Sequence, residues 1–182
     1  LVAAQLERGW DVHVACPDGP LAQRASALGA SVHRWRSSRA PGWSTLSECV
    51  RLRQGCRFVE PDVVHLHSSK AGLVGRLVVR RRVPTIFQPH AWSFLAVGAK
   101  QARGIALVER FLDRWTSVLI CGSDDERQVG RRAGIRTDAR VIRNSVDTDR
   151  FPARDDAERR ASREALGLSM VPPAVCVGRL CE

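Results

Sequence analysis

The chain has 182 residues, 44% hydrophobic and 26% charged, enough for one full α/β domain and the beginning of a second. The composition is that of a globular protein, and no apolar run approaches the roughly 18–20 residues needed to span a bilayer. A formal charge of +10 calls for something anionic, whether nucleotide, phospholipid surface, phosphorylated acceptor or nucleic acid; arginine spread along the chain also fits a solvated surface without a role.

The opening LVAAQLERG reads as the middle or end of an amphipathic helix, with no basic segment and apolar stretch before it, so the true start is expected upstream. From there, short β-branched runs alternate with helical patterns, which predicts βαβ units and a doubly wound, Rossmann-like parallel sheet. Strands are predicted at Val12–Cys16, Ser31–Arg34, Asp62–His67, Thr85–Gln88, Ser117–Cys121 and Arg140–Arg143. Helices are predicted at Pro20–Leu28, Thr45–Val59, Ser69–Arg81, Lys100–Trp115 and Asp124–Arg132. Thr45 and Glu48 have capping-box spacing, and Leu46, Cys49, Val50, Cys56 and Val59 gather on one helical face. Ile105, Val108, Leu112 and Trp115 do the same farther on. Gly29 and Gly134 stand just past helices, where a left-handed cap residue is expected.

Residues 1–150 therefore form the expected amino-terminal domain, whose start is expected upstream. Residues 151–173, a charged helical stretch ending in two prolines, read as a linker. Residues 174–182 begin a second domain, with an apolar strand running into Gly178-Arg179-Leu180. The six cysteines show no CxxC pair and no zinc-ribbon spacing, which predicts reduced thiols in a cytoplasmic protein.

Ligands of an open parallel sheet bind at the carboxyl ends of its strands, so those ends carry the candidate residues. In PDVVHLHSSKAGLVGRL, a strand is followed by Ser68, Ser69 and a helix whose first turn holds Lys70. A cation placed where free N–H groups already attract an anion suits a phosphate or carboxylate; a Ser cap beside a solvated Lys accounts for the same residues. Gly72 and Gly75 allow close approach to a ligand or to the sheet. His65 and His67 share one side of their strand and would need a third ligand to hold a metal; none is expected. His90 follows the next strand and should lie beside the Ser68–Lys70 loop, in reach of a sugar hydroxyl or phosphate. Ser123 and Glu126 read as a helix cap in preference to catalytic groups. No GxSxG elbow or pair of carboxylates at a strand end points to hydrolysis.

Taken in order, HLHSSKAGLVGRL, VPTIFQPHAWSF, CGSDDERQVG, VIRNSVDTDRF and AVCVGRL resemble the retaining glycosyltransferases of family 4, enzymes of two-domain GT-B architecture. The resemblance covers essentially the whole chain. It implies transfer of a hexose-type sugar from a nucleotide diphosphate donor to an acceptor, with retention, usually without a metal or other cofactor. Polysaccharide, glycolipid or glycoside synthesis would be the setting. The half present here would hold a sugar, lipid-linked or phosphorylated acceptor and would be inactive alone. By matching position, Ser69, Lys70 and Arg76 fall on the acceptor side, and His90 would reach the transferred sugar as the catalytic residue. Ser123, Asn144 and Asp147 would line the cleft, and Arg179 would face the donor diphosphate. Ser145 and Ala91 stand where the family commonly has glycine.

Two other readings remain open at this level: a sugar-nucleotide 2-epimerase of the same architecture, and a basic module binding nucleic acid or anionic membrane. No nucleic-acid motif is visible, and no nucleic-acid partner is expected. For the transferase itself, Arg80 to Arg82 with Trp92 and Phe94 would meet anionic lipid, placing it peripherally at the inner face of the cell membrane.

Overall fold

The structure, a computed structural model, describes residues 1–38 and 42–168. They fall into two compact units, Leu1–Arg143 and a smaller one from Asn144 onward.

The first unit runs α1 (Val2–Leu6), β1 (His13–Cys16), α2 (Pro20–Ala27), β2 (Ser31–Arg34), α3 (Ser44–Val59), β3 (Val64–His67), α4 (Ser69–Val79) and β4 (Thr85–Gln88). It continues through a 3₁₀ turn (Ser93–Ala96), α5 (Ala99–Asp113), β5 (Val118–Cys121), α6 (Asp124–Arg132) and β6 (Ala139–Val141). Every strand pair is parallel: β1 with β2, and β3, β4, β5 and β6 side by side in that order. A helix returns the chain between consecutive strands, as parallel pairing requires. The α/β class is as the alternating pattern predicts, although the ladder comes in two pieces rather than one.

Element ends differ where prolines and backbone turns intervene. β3 starts at Val64, whose N–H donates to the Pro84 carbonyl, while Asp62 and Val63 lie exposed ahead of it. α4 stops at Val79 because Arg80 adopts φ 52° and ψ −131°, outside helical space. α5 stops at Asp113, which leaves Trp115 in the turn that follows.

The core centres on the four-stranded sheet. Leu66, Phe87, Leu119, Cys121 and Ala139 from the strands meet Trp92, Phe94 and Ile135. α4 lies close against this sheet because it has no side chains at two contact points: a Cβ at Gly72 would overlap the Phe87 ring, and one at Gly75 would overlap Leu66. The two glycines thus serve approach to the sheet. Gly29 and Gly134, at φ 96° and 88°, are the left-handed residues expected past α2 and α6.

Two predicted helical faces are corrected. On α3, Leu46 is 75% and Val50 50% exposed, whereas Thr45, Glu48, Cys49, Leu52, Cys56 and Val59 turn inward. On α5, Val108 is 47% exposed, while Glu109, Leu112 and Asp113 are buried. Both errors have one cause. Buried carboxylates with partners displace apolar residues from the inner face, and an apolar-only periodicity cannot see them. Glu48 is accordingly no capping residue. Trp92 and Phe94, expected at a lipid surface, are 1% and 9% exposed: their rings stack 5.5 Å apart, and Trp92 Nε1 donates to the Glu126 carbonyl at 2.8 Å.

In the second unit, the Asp147 carboxylate accepts the N–H groups of Asp149 and Arg150, both at 3.1 Å, closing a turn. α7 (Asp156–Ala165) follows with a complete capping box of Asp155 and Glu158, so the segment read as a linker carries a regular helix. The strand predicted at 174–177 and Arg179 lie outside the described residues.

Candidate functional site

The carboxyl ends of β3 and β4 are adjacent, because His67 pairs with Gln88 across the ladder. Both loops leave that edge through backbone that side chains rarely adopt. Ser68 sits at φ 78°, His90 at φ 59° and Ala91 at φ 141°. Three such residues within two neighbouring loops store strain that the surrounding structure must hold.

Two histidines meet at this edge. His67 Nδ1 lies 2.9 Å from His90 Nε2 in a shared hydrogen bond, and their rings stack with centroids 5.2 Å apart. The His65 ring, 4.0 Å from that of His67, continues the row along β3. Loss of hydration, followed by the repulsion of His65 and His90, pushes the His67 pKa down to about 4. Burial lowers that of His65 as well. His67 is therefore neutral at pH 7, and its proton arrangement is set by its neighbours. Among the described residues, no three His, Cys, Asp or Glu side chains converge to hold a metal ion.

Lys70 stands in the first turn of α4, as predicted, but its ammonium already has an anion. Nζ lies 2.8 Å from Glu48 Oε2 and donates to Thr45 Oγ1 at 2.8 Å and Ser38 Oγ at 3.4 Å. Burial raises the Glu48 pKa, yet hydrogen bonds from Lys70 and the Ser38 N–H outweigh it and leave the carboxyl below its ordinary range. This pair ties α3 to α4. The α4 amino terminus has no side-chain cap from Ser68, and Ser69 opens the helix half-buried beside His67 in sequence.

Arg76 does not reach the rim. It is 1% exposed, donates to Glu109 at 2.5 Å and to the Gly72 carbonyl at 2.8 Å, and lies over the Phe87 ring at 4.0 Å. The expected acceptor contact gives way to a structural link between α4 and α5; its spacing in the helix points it inward. Ser123 follows β5 and caps α6, accepting the Glu126 N–H at 3.1 Å, while the Glu126 carboxylate accepts the Gly122 N–H at 2.6 Å. That is the capping role preferred for them. Burial and the nearby Glu126 push the Cys121 thiol up to about 11, so it is no nucleophile.

The edge that follows β3 and β4 carries Ser69, Lys70 and His90 in its loops, with the Lys70 ammonium turned to α3. It adds His67 and Glu48, which sequence reasoning did not place in the site. His67 ends β3 opposite Gln88, which ends β4, in keeping with its place nearer the ligand-facing end of the strand than His65. A groove of about 340 Å³ lined by Arg53, Cys56, Glu60, Val64, Arg82 and Val83 opens at the other end of β3, away from these histidines.

Residues 1–150 match the family model described as Glycosyltransferase Family 4. A Klebsiella pneumoniae protein described only as an uncharacterized 41.2 kDa protein in the cps region is 27% identical over 148 residues, which are 76% of this chain and 40% of that protein. Among solved structures, the HepE protein of Anabaena in complex with UDP-glucose superposes with a TM-score of 0.66 at 18% identity, over 91% of this chain and 44% of HepE. A glycosyltransferase of Rickettsia africae gives 0.68 at 13% identity, over 94% and 45%. The sucrose-phosphate synthase of Thermosynechococcus elongatus gives 0.65 at 17%, over 94% and 46%. The chain therefore spans less than half the length of each of these relatives.

Proposed function

The chain belongs to glycosyltransferase family 4, and from that premise we propose that it is the acceptor-side half of an enzyme transferring a hexose-type sugar from a nucleoside diphosphate donor, with retention and without a metal. The observation that carries the reading is the His67–His90 pair at the carboxyl edge of β3 and β4. Bonding of His90 Nε2 to His67 leaves Nδ1 as the atom for a sugar hydroxyl. An imidazole held by this bond gives a hydrogen bond in the right place without reorganising when charge moves in the transition state. The complexes of HepE with UDP-glucose and with UDP and glucose support a nucleotide-sugar donor for this chain too.

On the acceptor side, Ser69 and the uncapped start of α4, which follow β3 at the same sheet edge, offer backbone and hydroxyl donors. Lys70 contributes chiefly by holding α3 against α4, since Glu48 balances its charge. An acceptor carrying hydroxyls there fits better than one with a second full negative charge at Nζ. Asn144 and Asp147 as cleft residues, and Arg179 as the cation for the leaving diphosphate, rest on the family resemblance. Polysaccharide, glycolipid or glycoside synthesis at the cytoplasmic side remains part of the proposal.

The test is nucleotide release by the full-length protein carrying this chain, assayed with UDP-glucose and with other nucleotide sugars. His90→Ala should lower turnover by about 10²–10³, the cost of losing one preorganised donor, with little change in donor KM. Turnover equal to that of the parent protein would remove His90 from the site.

A further inference from the structure

The charge of +10 is not evenly spread over the fold. α3, α4 and α5 are neighbours, with α4 packed against both others. The carboxylates of these three helices all turn inward: Glu48 to Lys70, Glu109 to Arg76, and Asp113 to the N–H groups of Arg136 and Thr137 at 2.7 and 3.1 Å. Their exposed charges are cations alone, namely Arg51, Arg53 and Arg57 on α3 and Lys100, Arg103 and Arg110 on α5. α6 instead exposes both signs, Asp124 and Asp125 in its first turn and Arg127, Arg131 and Arg132 farther along.

α5 organises this charge around an apolar centre. Its inner face carries Ala102, Ile105, Ala106, Glu109, Leu112 and Asp113. The outer stripe reads Lys100, Arg103, Leu107, Val108, Phe111 and Arg114 at helical spacing, with Leu107 64%, Val108 47% and Phe111 46% exposed. The far end is reinforced. Arg114 lies over the Phe111 ring at 4.0 Å, Arg81 Nε donates to the Arg114 carbonyl at 2.8 Å, and Arg80 lies over Trp115 at 5.4 Å. The Arg80–Arg82 run is thereby joined to the end of α5, far in sequence but adjacent in space.

We propose that this outward face of α5, with Arg80 and Arg81 at its carboxyl end, docks on anionic phospholipid. A lipid surface satisfies both halves of the pattern at once. Cations at either end meet headgroup phosphates, and the aliphatic and aromatic centre enters the boundary with the acyl chains, roughly 5–10 Å deep. Nucleic acid would satisfy the cations but would press hydrated phosphates against Leu107 and Val108, which offer them no hydrogen bond and gain no apolar partner. The apolar residues involved are Leu107, Val108 and Phe111, in place of the buried Trp92 and Phe94.

Co-sedimentation of this chain with vesicles tests it, using neutral phosphatidylcholine and phosphatidylcholine mixed with anionic phosphatidylglycerol. Binding is expected to the mixed vesicles only, weakening as salt rises. Arg103→Gln with Arg114→Gln should weaken it at least tenfold, at about fivefold per cation near the surface. Leu107→Gln with Phe111→Gln should do likewise at unchanged charge. Arg127→Gln with Arg140→Gln, two exposed cations elsewhere, should stay within about twofold of the parent chain. Thermal melts of every variant confirm that the fold is retained. Equal binding to neutral vesicles, or equal loss in the Arg127/Arg140 control, overturns the proposal. Duplex DNA binding that the Leu107/Phe111 pair leaves intact, without vesicle binding, would assign the face to nucleic acid instead. Binding by this chain but not by the full-length protein would show that the face is covered by the remainder of the polypeptide, and would equally overturn it.

Discussion

His67 and His90, twenty-three residues apart in sequence, share a hydrogen bond of 2.9 Å between Nδ1 of the first and Nε2 of the second. The bond fixes which nitrogen of His90 faces outward, as the partner of a working histidine commonly does.

His67→Phe keeps the ring bulk and removes the partner nitrogen. Sugar transfer by the full-length protein should fall about 10–100-fold, the usual cost of losing an outer partner. His67→Asn, whose amide lies near the position of Nδ1, should recover most of the loss. Equal rates for the Phe and Asn variants, measured as nucleotide release, would make the bond incidental to turnover.

The low pKa of His67 sets the direction of a pH effect. Its folded value of about 4 lies below the ordinary 6.5, so between these values the unfolded chain binds the proton and the folded one does not. The associated stability is fully present above about pH 6.5 and is lost as pH falls toward 4, with His65 shifted in the same direction. Discounted for the solvent on one side of the ring, the loss should be about 1–2 kcal/mol. Thermal melts at several pH values should show it, and His67→Gln should flatten the slope in that window. A slope unchanged in the variant would contradict the assignment. Glu48 acts lower, since its depressed pKa makes it lose its stabilising charge only below the ordinary 4.5.

Ala91 occupies φ 141°, a region in which glycine is at ease and a Cβ is not. Ala91→Gly should therefore stabilise the chain by about 1 kcal/mol despite the greater freedom it gives the unfolded state. A denaturation midpoint that moves downward would show that the loop holds Ala91 without strain.

The Lys70–Glu48 pair is nearly enclosed, with side-chain exposures of 10% and 3%. Lys70→Ala strands a carboxylate in the interior and should cost about 3–5 kcal/mol in chemical denaturation. Replacing both, as Lys70→Met with Glu48→Leu, should cost markedly less than the sum of the single losses. Additive losses would mean the two side chains do not depend on one another.

Much of the fold could be read from local pattern, because strand and helix periods and the glycines and prolines that punctuate them are short-range properties. Thr85–Gln88 and Asp124–Arg132 have the predicted bounds, and Ser123 caps α6 through a contact only three residues long. The failures share a longer range. Arg76 and Glu109 are 33 residues apart, and Lys70 and Thr45 are 25 apart. Each charged residue looked like a surface or ligand group until its partner was known.

Alone, the amino-acid sequence determined the alternation of strands and helices, the rim on which Ser69, Lys70 and His90 would stand, and the family to which the chain belongs. Tertiary structure decided which charges remain available. It enclosed Arg76, balanced Lys70 with Glu48, joined His67 to His90, and turned the acids of α3 and α5 inward so that cations face out. The physical reason is that burying a charge is tolerable only beside a partner, and here the partners come from elements that meet only when the chain is folded.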